Sequence, residues 1–289
     1  MNAGPDATPV VVGTVTIPAN STGTIFHFDA PVTTLTTSGT VFGNNGWLIA
    51  PATITLTAKD FSSKGIDFIE YSRDDTNWTK YAGPFVYADE GATTLHYRAH
   101  DKAGGLETSK STDFKIDTRK PVVTVSTDFP RYTRVQPFAV HFGATDPMPG
   151  SGLKSVNATL DGTAVTDGQT VDLFLFALGT HTETATAEDI AGWKTTQSAS
   201  FEVIATLGSL SDTITALRGS GDISKDGLAQ SLLAKVDAAI SSQDRGQRTA
   251  ALNQLQALLN ELQAQDGKQI SHRAAQILDA DVRYVMAHL

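Results

Sequence analysis

An internal repeat of about 88 residues is the feature that most limits what this 289-residue chain can fold into. Phe114-Lys115-Ile116-Asp117-Thr118-Arg119-Lys120-Pro121 matches Phe28-Asp29-Ala30-Pro31, which sets Asp29 and Asp117 88 residues apart. Ala58-Lys59-Asp60 with Gly65 matches Ala144-Thr145-Asp146 with Gly152, a spacing of 86. His100-Asp101-Lys102-Ala103-Gly104 matches Glu188-Asp189-Ile190-Ala191-Gly192, again 88 apart. Three acidic landmarks keeping one period describe two copies of one small domain.

The repeated stretch is rich in Thr, Val and Gly. Thr53–Ala58 alternates polar and apolar residues, as a half-buried strand does. Ile66–Tyr71, Thr94–Ala99, Val122–Ser126, Phe138–Phe142, Val171–Phe176 and Ser200–Ile204 have the same character. Short strands separated by Gly, Asp and Pro predict immunoglobulin-like β-sandwiches, near residues 30–118 and 119–206. Residues 1–29 carry two further strand-like runs, read as the tail of a preceding module or an added hairpin.

At Leu207 the composition turns to Ala, Leu, Gln and Asp. Ser209–Leu217 reads as a short helix, and three apolar stripes follow at helical spacing: Leu228 to Ile240, Leu252 to Leu262, and Ile277 to Leu289. Asp222 or Ser224 is placed to cap the second helix and Ser271 the last. The expected fold is therefore multidomain: two all-β immunoglobulin-like sandwiches, then an all-α bundle of about four helices over 207–289.

Charge excludes several functions. Lys and Arg number 22 against 31 Asp and Glu, a net of -9, and no segment carries the basic stripe that a nucleic acid requires. No apolar run reaches the roughly 18–20 residues of a membrane span, and the helical region has no Lys/Arg-rich face for a membrane surface. Cysteine is absent, which removes disulfides, thiol nucleophiles and Cys-based zinc sites. Met1–Pro9 has neither the basic start nor the apolar core of a signal peptide; the segment reads as the beginning of a piece cut from a longer chain.

Catalytic motifs are missing. There is no Gly-x-Ser-x-Gly elbow, no His-Glu-x-x-His and no phosphate-binding glycine loop. The seven histidines are scattered without ligand spacing. The pairs Asp74-Asp75 and Asp89-Glu90 sit in turns, unlike two carboxyls facing across a glycosidase cleft. The chain is therefore read as no enzyme, with no cofactor required.

Calcium is the one candidate ion. In an immunoglobulin-like domain the chain enters at the end to which the B–C and F–G loops return. Asp29, Asp60 and Asp101 should converge at that end of the first domain, and Asp117, Asp146 and Asp189 at that of the second. Clustered carboxylates with loop carbonyls suit a hard cation. The plainer alternative is that each Asp closes its own loop as an Asx-turn. Asp222-Ile223-Ser224-Lys225-Asp226-Gly227 lacks EF-hand spacing and is no calcium loop.

A resemblance adds to this reading. Gly43-Asn44-Asn45-Gly46-Trp47, Pro51, Thr55–Ala58, Ile69–Ser72, Trp78, Tyr81, Gly83-Pro84-Phe85, Glu90-Gly91, Tyr97–Ala99 and Asp101 with Ala103-Gly104 resemble a bacterial immunoglobulin-like repeat of secreted polysaccharide-degrading enzymes and surface proteins. Domain two shares the skeleton without the Trp/Tyr centre. Asp222–Ser224, Gly227–Ala229, Leu232–Lys235, Gln265–Lys268 with Ile270, Ala274-Ala275 and Tyr284–Leu289 resemble the FIMAH domain, with Val285 departing from its signature. That family sits at the C-termini of secreted Gram-positive lyases, glycosidases and peptidases.

The resemblance implies a secreted or cell-surface, non-catalytic accessory region, attached to the catalytic module of a larger polysaccharide-degrading enzyme. Polysaccharide is the expected partner, and a monomer the expected state. Sugars stack on exposed aromatic rings, so Trp193, Trp47, Trp78 and Tyr81 are the candidate carbohydrate-binding residues. Trp78 could instead be the buried sandwich tryptophan, and Trp193 could pack against a neighbouring domain. The alternative function is a structural spacer or cell-surface attachment module that binds no sugar.

Overall fold

A computed structural model describes residues 30–61 and 64–289. The two strand-like runs expected before residue 29 lie outside the described residues. The chain divides into two compact units, one holding residues 30–38, 53–86 and 94–113, the other 39–52, 87–93 and 114–289.

The first sandwich is formed by β1 (Val32–Ser38), β2 (Ala52–Lys59), β3 (Ile66–Ser72), β4 (Thr79–Lys80), β5 (Phe85–Tyr87), β6 (Gly91–Asp101) and β7 (Lys110–Ile116). Its sheets run β1-β2-β5 and β4-β3-β6-β7, which is the three-plus-four arrangement of an immunoglobulin-like domain. The alternating sequence of β2 buries Ile54 and Leu56 while the intervening threonines stay on the other face. In β6, Leu95, Tyr97 and Ala99 turn inward; His96, Arg98 and His100 turn outward.

The second sandwich contains β8 (Val122–Ser126), β9 (Arg131–Thr133), β10 (Pro137–Ala139), β11 (His141–Thr145), β12 (Leu153–Leu160), β13 (Thr163–Val165), β14 (Thr170–Asp172), β15 (Gly179–Asp189) and β16 (Lys194–Ile204). One face is built from β8 on β11 and β14 on β10; the other is β13-β12-β15-β16-β9, with β9 joining β16 in parallel. Asp161-Gly162 makes the tight turn between β12 and β13, both with positive φ, as a two-residue hairpin demands. Tyr132, Phe138, Leu173, Phe201 and Val203 fill the core, each burial of this kind contributing about 1.5–3 kcal/mol.

Four helices follow: α1 (Leu207–Gly219), α2 (Asp226–Asp244), α3 (Arg248–Gln265) and α4 (His272–His288). Thr206 and Ser209 form a reciprocal capping box at the start of α1, and Ser271 Oγ caps α4 through Ala274 N. The expected capping of α2 does not occur: its N-cap is Lys225, with no side-chain bond. Asp222 is engaged elsewhere, accepting from Ser271 Oγ at 2.6 Å and Arg273 Nη2 at 2.7 Å, so it ties the α1–α2 loop to α4. The stripes Leu210-Ile214-Leu217, Leu228-Leu232-Val236, Leu255-Leu258-Leu262 and Leu278-Val282-Val285 close on one core. Among the described residues, no helix is long and apolar enough to cross a membrane.

Candidate metal centre

Three aspartates meet at one end of the second sandwich. Asp117 follows β7, Asp146 follows β11, and Asp189 ends β15. Each offers a carboxylate oxygen, and the three oxygens lie within 4.8 Å of one another. Ligand atoms held about 2.4 Å from one ion are separated by at most about 4.8 Å, so the spacing suits a shared cation.

Hydrogen bonds fix each carboxylate. Asp117 Oδ1 accepts from Arg119 N at 3.1 Å and Oδ2 from Ser151 N at 2.7 Å. Asp146 Oδ2 accepts from Gly152 N at 2.6 Å. Asp189 Oδ1 accepts from Gly192 N at 2.7 Å and Trp193 N at 2.9 Å. Two oxygens are left over: Asp146 Oδ1 and Asp189 Oδ2 are buried without a hydrogen-bond partner. Asp189 and Asp117 are both 0% exposed. Leaving a buried carboxylate oxygen unpaired costs several kcal/mol, unless a cation or a proton answers it.

Electrostatics agree with the geometry. Burial pushes the Asp189 carboxyl above the ordinary carboxylate range; the Trp193 and Gly192 amides oppose this, and the charges of Asp117 and Asp146 reinforce it. Asp146 is raised first by burial and also by Asp117, against the Gly152 amide and the Arg119 charge. The Arg119 guanidinium donates to the carbonyls of Met148 and Pro149. Among the described residues, no basic side chain forms an ion pair with the three aspartates. An all-carboxylate set without His or Cys selects a hard cation such as Ca²⁺ over zinc.

The surrounding loops are built to this cluster. A Cβ on Gly150 would stand 3.0 Å from Asp146 Oδ2 and 2.7 Å from Pro147 O, so the loop closes over the carboxylates only with glycine there. Ser151 Oγ accepts from Ala191 N at 3.0 Å, joining the two acidic loops. Asn44 N donates to Ala191 O at 2.7 Å and Asn45 Nδ2 to Ile190 O at 3.0 Å, so residues 44 and 45 cover the Asp189 loop.

In the first sandwich, two of the corresponding residues have the same local roles. Asp60 Oδ2 accepts from Gly65 N at 2.7 Å, and Asp101 Oδ1 from Ala103 N at 2.8 Å and Gly105 N at 2.7 Å. Their third expected companion, Asp29, lies outside the described residues, and no trio is assembled there from the described ones.

The aromatic candidates are scattered. Trp47 is 8% exposed, because the Asn44–Gly46 turn folds it inward and Leu48 bonds to Lys115 O; its ring offers no open face for a sugar. Trp193 is half-buried, with its indole N–H donating to Asp117 O at 2.9 Å and Lys120 Nζ 5.4 Å from the ring centre. That tryptophan anchors the segment carrying Asp117. Trp78 is half-buried on the outward face of β4-β3-β6, with the Arg98 guanidinium stacked at 3.8 Å. Arg98 Nε and His100 Nε2 bond to Glu70 Oε1 at 2.6 Å and 2.9 Å. Burial would raise the Glu70 carboxyl, but these two partners hold it below its ordinary range. Tyr81 meets Phe85 edge-on at 6.3 Å, beside a shallow cleft of about 320 Å³ lined by Tyr71, Lys80, Ala82, Gly83, Pro84 and Phe85.

One pair gave no signal in the sequence. Arg134, in the β9–β10 loop, reaches Asp281 on α4 at 2.7 Å, with side chains 5% and 1% exposed. Residues 147 positions apart, each inconspicuous alone, leave no motif to find.

No curated protein matches this chain. Solved structures similar to it include the fibronectin(III)-like modules of Clostridium thermocellum CbhA, at 18% identity over 59% of this chain and 94% of that one, TM-score 0.26. The D00-D0 domain of Intimin is similar at 13% identity over 59% and 99%, TM-score 0.29. The Yersinia pseudotuberculosis adhesin InvE is similar at 15% identity over 60% of each chain, TM-score 0.26. Over the helical region, residues 207–287 match the family model of the FIMAH domain.

Proposed function

We propose that this chain is a non-catalytic accessory or surface region working outside the cell, in which Asp117, Asp146 and Asp189 hold a Ca²⁺ that fixes one end of the second sandwich. The observation that carries this reading is the pair of buried, unpartnered oxygens, Asp146 Oδ1 and Asp189 Oδ2, on two members of a cluster whose carboxylates come within 4.8 Å of one another. Without a cation, three carboxylates repel one another with two of them, Asp117 and Asp189, shut off from water that would screen them. With one, the incoming segment at Asp117, the loop at Asp146 and the loop at Asp189 become a single rigid end. Extracellular modules of this kind bind calcium at about 10⁻⁴–10⁻³ M, which suits the medium outside a cell. Melting in CaCl₂ and in EDTA tests it: calcium should raise the transition of the second unit, and the Asp189→Asn variant should lose that rise. Equal melting temperatures in the two buffers would overturn the reading.

A second reading concerns the partner. The FIMAH match and the modular organisation (sandwiches near 30–118 and 119–206, helices from 207) favour attachment to a secreted bacterial polysaccharide-degrading enzyme, with polysaccharide as ligand. Within the chain, Trp78 supports it: an aromatic ring on an outward sheet face, stacked with Arg98, whose partner Glu70 adds a second polar group nearby. Affinity electrophoresis through polysaccharide gels distinguishes this from a spacer that binds no sugar. Retardation lost in Trp78→Ala and kept in Trp193→Ala supports sugar binding at that face; free migration in every polymer supports the spacer.

A further inference from the structure

We infer that the second sandwich and the C-terminal helices unfold as one cooperative unit, so that a cation at one end of the sandwich stabilises the helices at its other end. The inference rests on the metal reading of Asp117, Asp146 and Asp189. The joint itself is observed independently of any ion. Arg134 crosses from the β9–β10 loop to Asp281 on α4, and its Nη1 also donates to the carbonyls of Phe174 and Phe176. The guanidinium is thus divided between a helix carboxylate and the β14–β15 loop, in a place nearly closed to water. Apolar packing is continuous through the same joint. Phe174 and Leu178 lie against the helical core, and Leu178 also lies against the sandwich core around Tyr132, Phe138 and Phe201.

A buried ion pair of this kind discriminates strongly against separation. Undocking would leave Arg134 or Asp281 to find new partners and would open the apolar seam at Leu178. The connection to the acidic end is direct. Strand β16 runs for 11 residues from beside Trp193 to Ile204, about 35 Å at the strand repeat, and α1 begins at Leu207. It pairs with β15 from Lys194 to Val203, and β15 ends in Asp189. A ligand that binds only the folded sandwich therefore suppresses opening of everything that must open with it.

Hydrogen exchange of the full chain, in CaCl₂ and in EDTA, reads this directly. At calcium about ten times its Kd, the slowest amides of β15, β16 and α3 should all slow by the same factor, about tenfold. In Asp281→Asn the slowing should persist in β15 and β16 and disappear from α3. The double change Arg134→Met with Asp281→Leu, which replaces the pair by apolar groups of similar size, should restore it. If calcium slows the sandwich amides of the wild type but leaves α3 unchanged, the coupling is overturned while the metal reading stands. If calcium slows neither region, the metal reading fails. The shared unit is then judged in EDTA alone, where equal slowest rates in β15, β16 and α3 support it and unequal rates overturn it.

Discussion

The two sandwiches use their acidic loops in the same way, and among the described residues only the second brings three carboxylates together. In both, an Asp just after a strand, β2 or β11, binds the amide of a glycine further on, Gly65 or Gly152. In both, the Asp ending an 11-residue strand, β6 or β15, binds amides of its own turn. Even the loop-to-loop bond recurs, as Lys102 N to Gly65 O and Ile190 N to Gly152 O, both 2.9 Å. In the second sandwich a third carboxylate, Asp117, joins the other two, and two oxygens remain buried without partners. Closing a loop therefore does not use up an Asp: in Asp146 and Asp189 one oxygen holds the loop and the other stays buried without a partner. The outward faces differ as well: the first carries Trp78, Arg98, Glu70 and His100, the second a ladder of Thr182–Ser200, Thr184–Ser198 and Thr186–Thr196 pairs.

The largest expected break in this comparison comes from the joint to the helices. Asp281→Ala leaves Arg134 buried without its carboxylate and should lower the stability of the second unit by about 3–5 kcal/mol. Urea unfolding followed by circular dichroism at the helical wavelength measures the loss, and amides in β3 should not respond. Next comes calcium itself. At about 100 times its Kd it should stabilise the second unit by about 2.7 kcal/mol, an effect absent from Asp189→Asn and intact in Asp101→Asn.

Acid gives a smaller effect of defined sign. The folded-state pKa values of Asp146 and Asp189 lie above their unfolded values, so the unfolded chain loses these protons first as pH rises. In EDTA their burial therefore destabilises the fold at neutral pH, and the penalty fades as pH falls through the raised values towards the ordinary carboxylate range. The stability of Asp189→Asn relative to wild type should accordingly be highest near neutrality and decline towards pH 4, as denaturant titrations across that range would record. The smallest effect on stability belongs to Trp78→Ala, a half-exposed surface position. Its unfolding midpoint should shift little, while any retardation in polysaccharide gels is lost.

The sequence disclosed the sandwiches through alternation in segments such as Thr53–Ala58, and the helices through stripes such as Leu255 to Leu262. It also brought Asp117, Asp146 and Asp189 to one end, because period and immunoglobulin topology together determine where loops return. Several features were illegible for physical reasons. Trp47 looks equally suited to an exposed turn or a core, and only the backbone bonds of Asn44 to Ala191 O and of Leu48 to Lys115 O, both distant in sequence, turn it inward. Trp193 is an aromatic beside a glycine loop in sequence, yet its indole N–H is committed to Asp117 O. The Asp222 side chain has the right spacing to cap α2, but Arg273 and Ser271, some 50 residues away, engage it instead. Arg134 and Asp281 meet only after both domains have formed, so no local pattern marks either.

Calorimetric titration of CaCl₂ into the calcium-stripped chain, run beside Asp189→Asn, tests the central claim most directly. Saturable binding in the wild type, with one site fewer in the variant, is the predicted result. Identical heats from the two proteins would contradict it.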